Sequence, residues 1–187
     1  MSGPVVVTER VLLVAPRRSD ATEFLARVHE SADLHRPWVA APVSVDGFHS
    51  YVDRVHHPDA AGLLVRSREG GELVGVVNVN HIVRGALRSG HVGYYAFTTG
   101  SGRGLMTEAV RAVVDHAFGH LGLHRLEANI QPGNARSLAL AQRCGFRHEG
   151  YSPRYLFLDG AWRDHERWAV TAEDVRPTVA RPPGTSR

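Results

Sequence analysis

The sequence contains no lysine; all 22 of its basic residues are arginine. That absence excludes lysine Schiff-base chemistry and a Walker A phosphate loop, which ends in Gly-Lys-Ser/Thr. Cysteine is almost absent as well. Cys144 alone can form neither an internal disulfide nor, with scattered histidines, a cysteine-based zinc site. Apolar runs stop at four or five residues, against the roughly 20 that a membrane-crossing helix needs. Met1 to Thr8 also lacks the basic start and long apolar stretch of a secretory signal. The expectation is a cytoplasmic protein with no membrane contact.

What is present is ordinary globular material. Of 187 residues, 43% are apolar and 22% charged, enough for one domain with a core and too little for two. Nineteen acidic residues leave a net charge of +3. The arginines are scattered, with no run longer than Arg17-Arg18 and no stripe of interleaved aromatics, which argues for solubility rather than nucleic-acid binding.

Thr8 to Val14 reads as a strand closed by Pro16, followed by a helix over Ala21 to Glu30 capped by Ser19 or Asp20. Phe48, Tyr51, Val52 and Val55 recur at helical spacing, predicting a helix from Asp46 to His56. Ala61 to Arg68 and Glu72 to Val83 read as strands joined at Gly70-Gly71, and His91 to Phe97 as a fourth strand. Met106, Val110, Val113 and Ala117 form one helix face. His124 to Ile130 is a strand, Asn134 to Arg143 a helix, and two further strands flank Asp159-Gly160. Beyond Ala172 the chain turns to Arg, Pro, Thr and Gly, so residues 173–187 are expected to be a disordered tail outside a domain at 1–172.

Two segments carry chemistry. Thr98-Thr99-Gly100-Ser101-Gly102-Arg103-Gly104-Leu105-Met106 leads from a strand into an amphipathic helix. Its glycines allow close backbone approach and the helix start favours an anion, so a phosphate is the natural guest. By itself such a loop is as readily a plain connection, and no G-x-G-x-x-G follows an amino-terminal strand. About thirty residues on, Asn134-Ala135-Arg136-Ser137, Leu138, Leu140 and Arg143-Cys144-Gly145-Phe146 lie on their own short helix.

In this order and separation the two segments resemble the GNAT superfamily of acyl-CoA-dependent N-acetyltransferases. Gly102-Arg103-Gly104 looks like its pyrophosphate loop, and Asn134 to Phe146 like its N-x-x-S-x-x-L-x-x-R-x-G-F motif. Gly75 to Arg84, Gly93-Tyr94, Gly104-Leu105-Met106, Glu149-Gly150-Tyr151 and Asp159 to His165 look most like the ribosomal-protein-alanine N-acetyltransferase branch. The likeness runs from about Thr8 to Val170. It implies an α+β fold: one domain with a central, mostly antiparallel mixed sheet of about seven strands and about four flanking helices.

The resemblance also implies acetyl-CoA as co-substrate and no metal. Coenzyme contacts would come from Phe97, Thr98, Thr99, Ser101, Gly102, Arg103, Gly104, Leu105 and Met106, then from Asn134, Ser137 and Arg143. Two positions depart from the family pattern. Thr99 stands where Gln or Arg is usual, and Ala141 where many members carry a general-acid tyrosine. The oxyanion donor is expected among the backbone groups of Tyr94 to Phe97, at a bulge. His91 takes the place of a glutamate base, and an imidazole of ordinary pKa near ~6.5 suits that role; His81 and Glu127 are alternatives on neighbouring strands. Ser137 either manages the departing sulfur or packs its helix.

Other residues keep two readings. Asn134 caps its helix, holds the pantetheine arm, or does both. Cys144 reads as packed rather than nucleophilic, Trp38 as a linker anchor or a cleft wall, and Arg103 and Arg136 as phosphate ligands or solvated side chains. The acceptor is expected to be a protein or peptide amino terminus, because Trp38 to Tyr51 supplies only one carboxylate, Asp46. A small-molecule amine such as an antibiotic or polyamine, and a non-catalytic acyl-CoA-binding module, are the alternatives. Oligomeric state stays open, a homodimer included.

Overall fold

The structure, a computed structural model, describes residues 3–175. Strands occupy Val6–Val7 (β1), Val11–Val14 (β2), Ala61–Ser67 (β3), Leu73–Val83 (β4), Ser89–Ala96 (β5), Arg125–Ile130 (β6), Arg147–Leu158 (β7) and Ala161–Thr171 (β8). Helices occupy Ala21–Glu30 (α1), Ala32–His35 (α2), Val45–Val55 (α3), Leu105–Gly119 (α4), Ala135–Arg143 (α5) and Ala172–Val175 (α6). The strands form one sheet in the order β1-β2-β3-β4-β5-β6-β8-β7. Every neighbouring pair is antiparallel except β5 and β6. A parallel pair needs a crossover, and α4 supplies it.

The expected α+β sheet is present, with eight strands among the described residues in place of about seven. The added strand, Val6–Val7, precedes the segment expected as the first strand, Thr8 to Val14, of which Val11–Val14 is extended as β2. The Thr8 hydroxyl accepts the Val11 N–H at 3.1 Å and the Thr8 N–H donates to the Val11 carbonyl at 3.0 Å, closing a tight turn. Val6 and Val7 therefore fold back on Leu13 and Leu12. The two helices beyond four, α2 and α6, are single turns too short to show periodicity.

α6 begins at the boundary drawn for the tail. The Asp174 carboxylate pairs with Arg147 and accepts the Thr171 N–H, while Glu173 pairs with His124. The remainder of the expected tail, from 176, lies outside the described residues, as do Met1 and Ser2 of the segment read for a signal. No described helix is long and apolar enough to cross a membrane.

The sheet divides the core in two. On one face α4 buries Leu105, Met106, Ala109, Val110, Val113, Val114, Ala117 and Phe118 against Val77, Val79, Val92 and Leu126, with Ala141, Cys144 and Phe146 around α5 in the same cluster. On the other, α1 and α3 bury Phe24, Val28, Phe48, Tyr51 and Val55 against Leu64, Leu73, Val76 and Phe97. Phe24 meets Phe48 at 4.4 Å and the edge of Phe97 at 5.7 Å. Each such side chain contributes about 1.5–3 kcal/mol when fully buried, and this packing fixes both helix layers relative to the sheet.

Candidate active site

β5 and β6 pair only through Ser89 to His91 with Arg125 to Glu127. Beyond that point β5 stays with β4 as far as Ala96, and β6 stays with β8 as far as Ile130. The sheet opens between them. Phe97 donates its N–H to the Val74 carbonyl at 2.9 Å, continuing the β4 register. Since alternate residues of an antiparallel strand bond the same neighbour, Gly93, Tyr95 and Phe97 face β4. Tyr94 and Ala96 therefore direct their N–H and carbonyl groups into the opening. The expected bulge is not at this end of the strand, where the register runs unbroken from His91 to Ala96. The irregularity lies between Asn80 and Val83, with His81 at φ 50°. The parting of β5 from β6, rather than a bulge, opens the sheet at this end.

A cavity of about 1000 Å³ runs through this opening, at the upper end of the size of small-molecule sites. Its floor is Tyr94, Tyr95 and Ala96, one wall is Gly100 to Gly102, Gly104, Met106 and Thr107 at the start of α4, and another is Gly133 to Ser137 with Ala139, Leu140 and Arg143 on α5. Asp33 to Arg36, Trp38 and Val39 close it on the α2 side. Trp38 also meets α5's approach: a Cβ on Gly133 would lie 3.0 Å from its ring. Arg36, Arg136 and Arg143 against Asp33 make the lining cationic.

The α4 end of the cavity is built by glycines. Gly102 and Gly104 have φ of +75°, a conformation that carries a steric penalty for other residues. Gly100 is buried under β4, and a Cβ there would sit 2.3 Å from the Val74 carbonyl. Among the named loop residues, Ser101, Gly102, Gly104 and Met106 line the cavity. Phe97, Thr98, Thr99, Arg103 and Leu105 are engaged elsewhere. Phe97 is fully buried, Thr98 N–H donates to Ser31 Oγ at 3.0 Å, and Thr99 Oγ1 donates to the Leu73 carbonyl at 2.7 Å. Arg103 pairs with Glu72 at 3.0 Å, and Leu105 is in the core.

On α5, Asn134 caps the helix by accepting the Ser137 N–H at 3.1 Å. Ser137 and Arg143 line the cavity, and the Ser137 carbonyl accepts from the Tyr94 hydroxyl at 2.9 Å. Burial raises the Tyr94 phenol to about 12. Ala141 is fully buried in the core. Cys144 is buried, its thiol pushed up to about 11 by that burial, and its Sγ lies 3.6 Å from the Thr107 carbonyl. Trp38 is a cavity wall, whatever else it anchors.

His91 is the last β5 residue paired with β6. It lies on the α1 and α3 face, outside the cavity lining, with Nε2 3.9 Å from Glu127 Oε2 and its ring 5.6 Å from that of His81. Three residue steps along the strand, roughly 10 Å at ~3.3 Å each, separate it from Tyr94. Sequence reasoning passed over Ser31 and His35. Both are buried polar residues that bond the end of β5, and nothing local marks them. Among the described residues no cluster of three or more His, Cys, Asp or Glu is arranged to hold a metal.

A family model described as an acetyltransferase (GNAT) domain matches residues 10–147. Over 106 residues the chain is 41% identical to the ribosomal protein uS5-alanine N-acetyltransferase of Escherichia coli, covering 57% of this chain and 55% of that one. The match thus spans about half the length of that relative. The chain is also similar to Mycobacterium smegmatis RimJ, solved in complex with CoA-disulfide, with a TM-score of 0.82 at 31% identity over 89% of this chain and 84% of that one. The spermidine N(1)-acetyltransferase of Vibrio cholerae is 22% identical over 88% of this chain and 94% of its own length.

Proposed function

The chain belongs to the GNAT acetyltransferase family, and on that premise we propose that it transfers an acetyl group from acetyl-CoA to the α-amine of a protein or peptide amino terminus, a ribosomal protein being the model acceptor. One observation carries the reading. The outward main-chain groups of Tyr94 and Ala96, the glycine-rich start of α4 and the cap of α5 meet in one cationic cavity. An anionic coenzyme with an amide-bearing arm matches each of them. Its pyrophosphate belongs at Ser101 to Gly104, where backbone N–H groups and the helix start favour negative charge. Arg136 and Arg143 add cationic partners. Such a reaction on ribosomal protein belongs in the cytoplasm.

In this reading the amine attacks the thioester carbonyl directly, with both substrates held together and no acyl-enzyme. The oxyanion falls to the Tyr94 N–H, whose direction into the opening is set by the β4 ladder; one such donor is worth about 10²–10³ in rate. The proton leaving the amine goes to His91, through a water given the spacing along the strand. Ser137 stands beside the departing sulfur. Cys144 has no part, since its thiol is buried and held protonated.

Polyamine acetylation is the second reading, favoured by the spermidine relative. Against it, Glu127 is held by Arg125 at 2.8 Å, Glu149 by Arg125 and Arg147, and among the described residues Asp33 is the only carboxylate lining the cavity. Acetyl transfer measured by mass spectrometry against peptides of defined amino terminus and against spermidine decides. We expect acetylated peptide and no acetylated spermidine; the reverse would replace the acceptor, and no transfer to either would remove the reading. Valine at both Gly102 and Gly104 should weaken acetyl-CoA binding at least tenfold in calorimetry.

A further inference from the structure

Where β6 leaves β5, the outward-facing groups at the end of β5 lose their strand partner, and the corner between α1 and α2 partly replaces it. Ser31 and His35 stand one helical turn apart. Ser31 Oγ accepts the Thr98 N–H at 3.0 Å, and His35 Nε2 lies 2.9 Å from the Ala96 carbonyl. A carbonyl only accepts, so the imidazole carries its hydrogen on Nε2. Both residues are buried, to 1% and 5% exposure. The His35 ring is held edge-on to Tyr95 at 5.1 Å and against Phe97 at 5.7 Å. This leaves the Ala96 N–H and both main-chain groups of Tyr94 without a strand partner in the cavity.

We infer that Ser31 and His35 are positioning residues that stand in for a missing strand and set the register in which the amide-bearing arm of the acyl donor lies along β5. The inference rests on the proposed acetyl-CoA reading. With the Ala96 carbonyl taken, an amide N–H of the arm finds its acceptor at Tyr94, and an amide carbonyl finds its donor at Ala96 or Tyr94. A slip of two residues toward the loop, to the next groups that face the opening, meets the Thr98 N–H already bonded and no free acceptor at Ala96. The same corner continues into Arg36 and Trp38, so donor register and the cavity's α2 wall are set by one element.

Calorimetry with acetyl-CoA and with ADP, paired with steady-state kinetics, tests this. ADP reaches the glycine loop but has no arm to register on β5. His35→Leu should raise the Kd for acetyl-CoA at least tenfold and Ser31→Ala about threefold. Both should leave ADP affinity and the KM of the amine unchanged. His35→Gln, whose amide also carries an N–H donor, should stay within threefold of the unsubstituted chain. Equal loss of ADP and acetyl-CoA affinity, or His35→Gln as impaired as His35→Leu, would overturn the inference in favour of a packing role. If His35→Leu does not fold, Ser31→Ala carries the test alone, and unchanged acetyl-CoA affinity in it overturns the inference. Failure of the unsubstituted chain to bind acetyl-CoA overturns the functional reading and the register with it; binding that both variants leave unaltered overturns the register only.

Discussion

Tyr94 turns its N–H into the opening between β5 and β6, while its phenol crosses to α5 and donates to the Ser137 carbonyl. Burial raises that phenol to about 12, well above an ordinary thiol near ~8.5. It is a donor and a strut between strand and helix, not an acid for a departing thiolate, and so does not replace the tyrosine absent at Ala141. The residue open to direct challenge is His91. His91→Ala should leave acetyl-CoA affinity intact and lower kcat by about tenfold to a hundredfold, at or below the lower end of the range for lost general-base catalysis because a water intervenes. A near-normal kcat and an unchanged pH profile would make it only a strand residue. Asn134, Ser137 and the glycines at 102 and 104 were legible in the sequence because cap and loop chemistry is local. Ser31 and His35 were not, since their partners lie 67 and 61 residues away.

At the scale of elements, the periodic stretches declare themselves. α1 runs over the ten residues Ala21–Glu30 that the pattern predicts, and β6 alternates buried Leu126, Ala128 and Ile130 with half-buried Arg125, Glu127 and Asn129. Single-turn helices, the Thr8 turn and the His81 bulge escape because each is decided by one or two hydrogen bonds rather than by a repeat. α1 is then tied to the sheet by charge. Glu23 accepts the Leu73 N–H at 3.2 Å and pairs with Arg66 at 2.8 Å, and Arg66 also reaches Asp20 at 3.4 Å. Burial works to raise the Glu23 carboxyl, but the Arg66 hydrogen bond and charge and the Leu73 N–H outweigh it and hold the group below its usual 4.5. A carboxylate lowered in the folded state stabilises above its unfolded pKa, and the contribution disappears as pH falls through the folded value. Arg66→Leu should therefore cost about 1 kcal/mol at pH 7, a figure discounted for partial exposure. By pH 3 the gap from the unsubstituted chain should narrow in urea titrations. A gap that stays the same on acidification would mean Arg66 acts through packing alone.

For the whole molecule, the sheet is both the divider of two core halves and the frame of the opening. Local pattern shows that β5 and β6 are strands but not that they separate after His91. Separation follows from β4 and β8 each retaining one of them, a competition across 75 to 171 in the chain. The two halves also carry histidines shielded from solvent, His35 buried on one side of the sheet and His116 half-buried on the other. His35 is lowered by burial, against the raising effect of its bond to Ala96, and His116 by burial and then by the nearby charge of His120, whose ring stacks on it at 4.8 Å. Below the ordinary 6.5 the unfolded chain binds protons at these sites before the folded chain does. Folding stability therefore declines as pH drops from 6.5 through the lower folded values. Urea midpoints should fall between pH 7.5 and 5.5, and His116→Gln should flatten the decline without touching the cavity. His35→Gln should flatten it further while preserving the donor to Ala96. Midpoints that hold steady or rise on acidification would show that neither imidazole is held neutral by the fold.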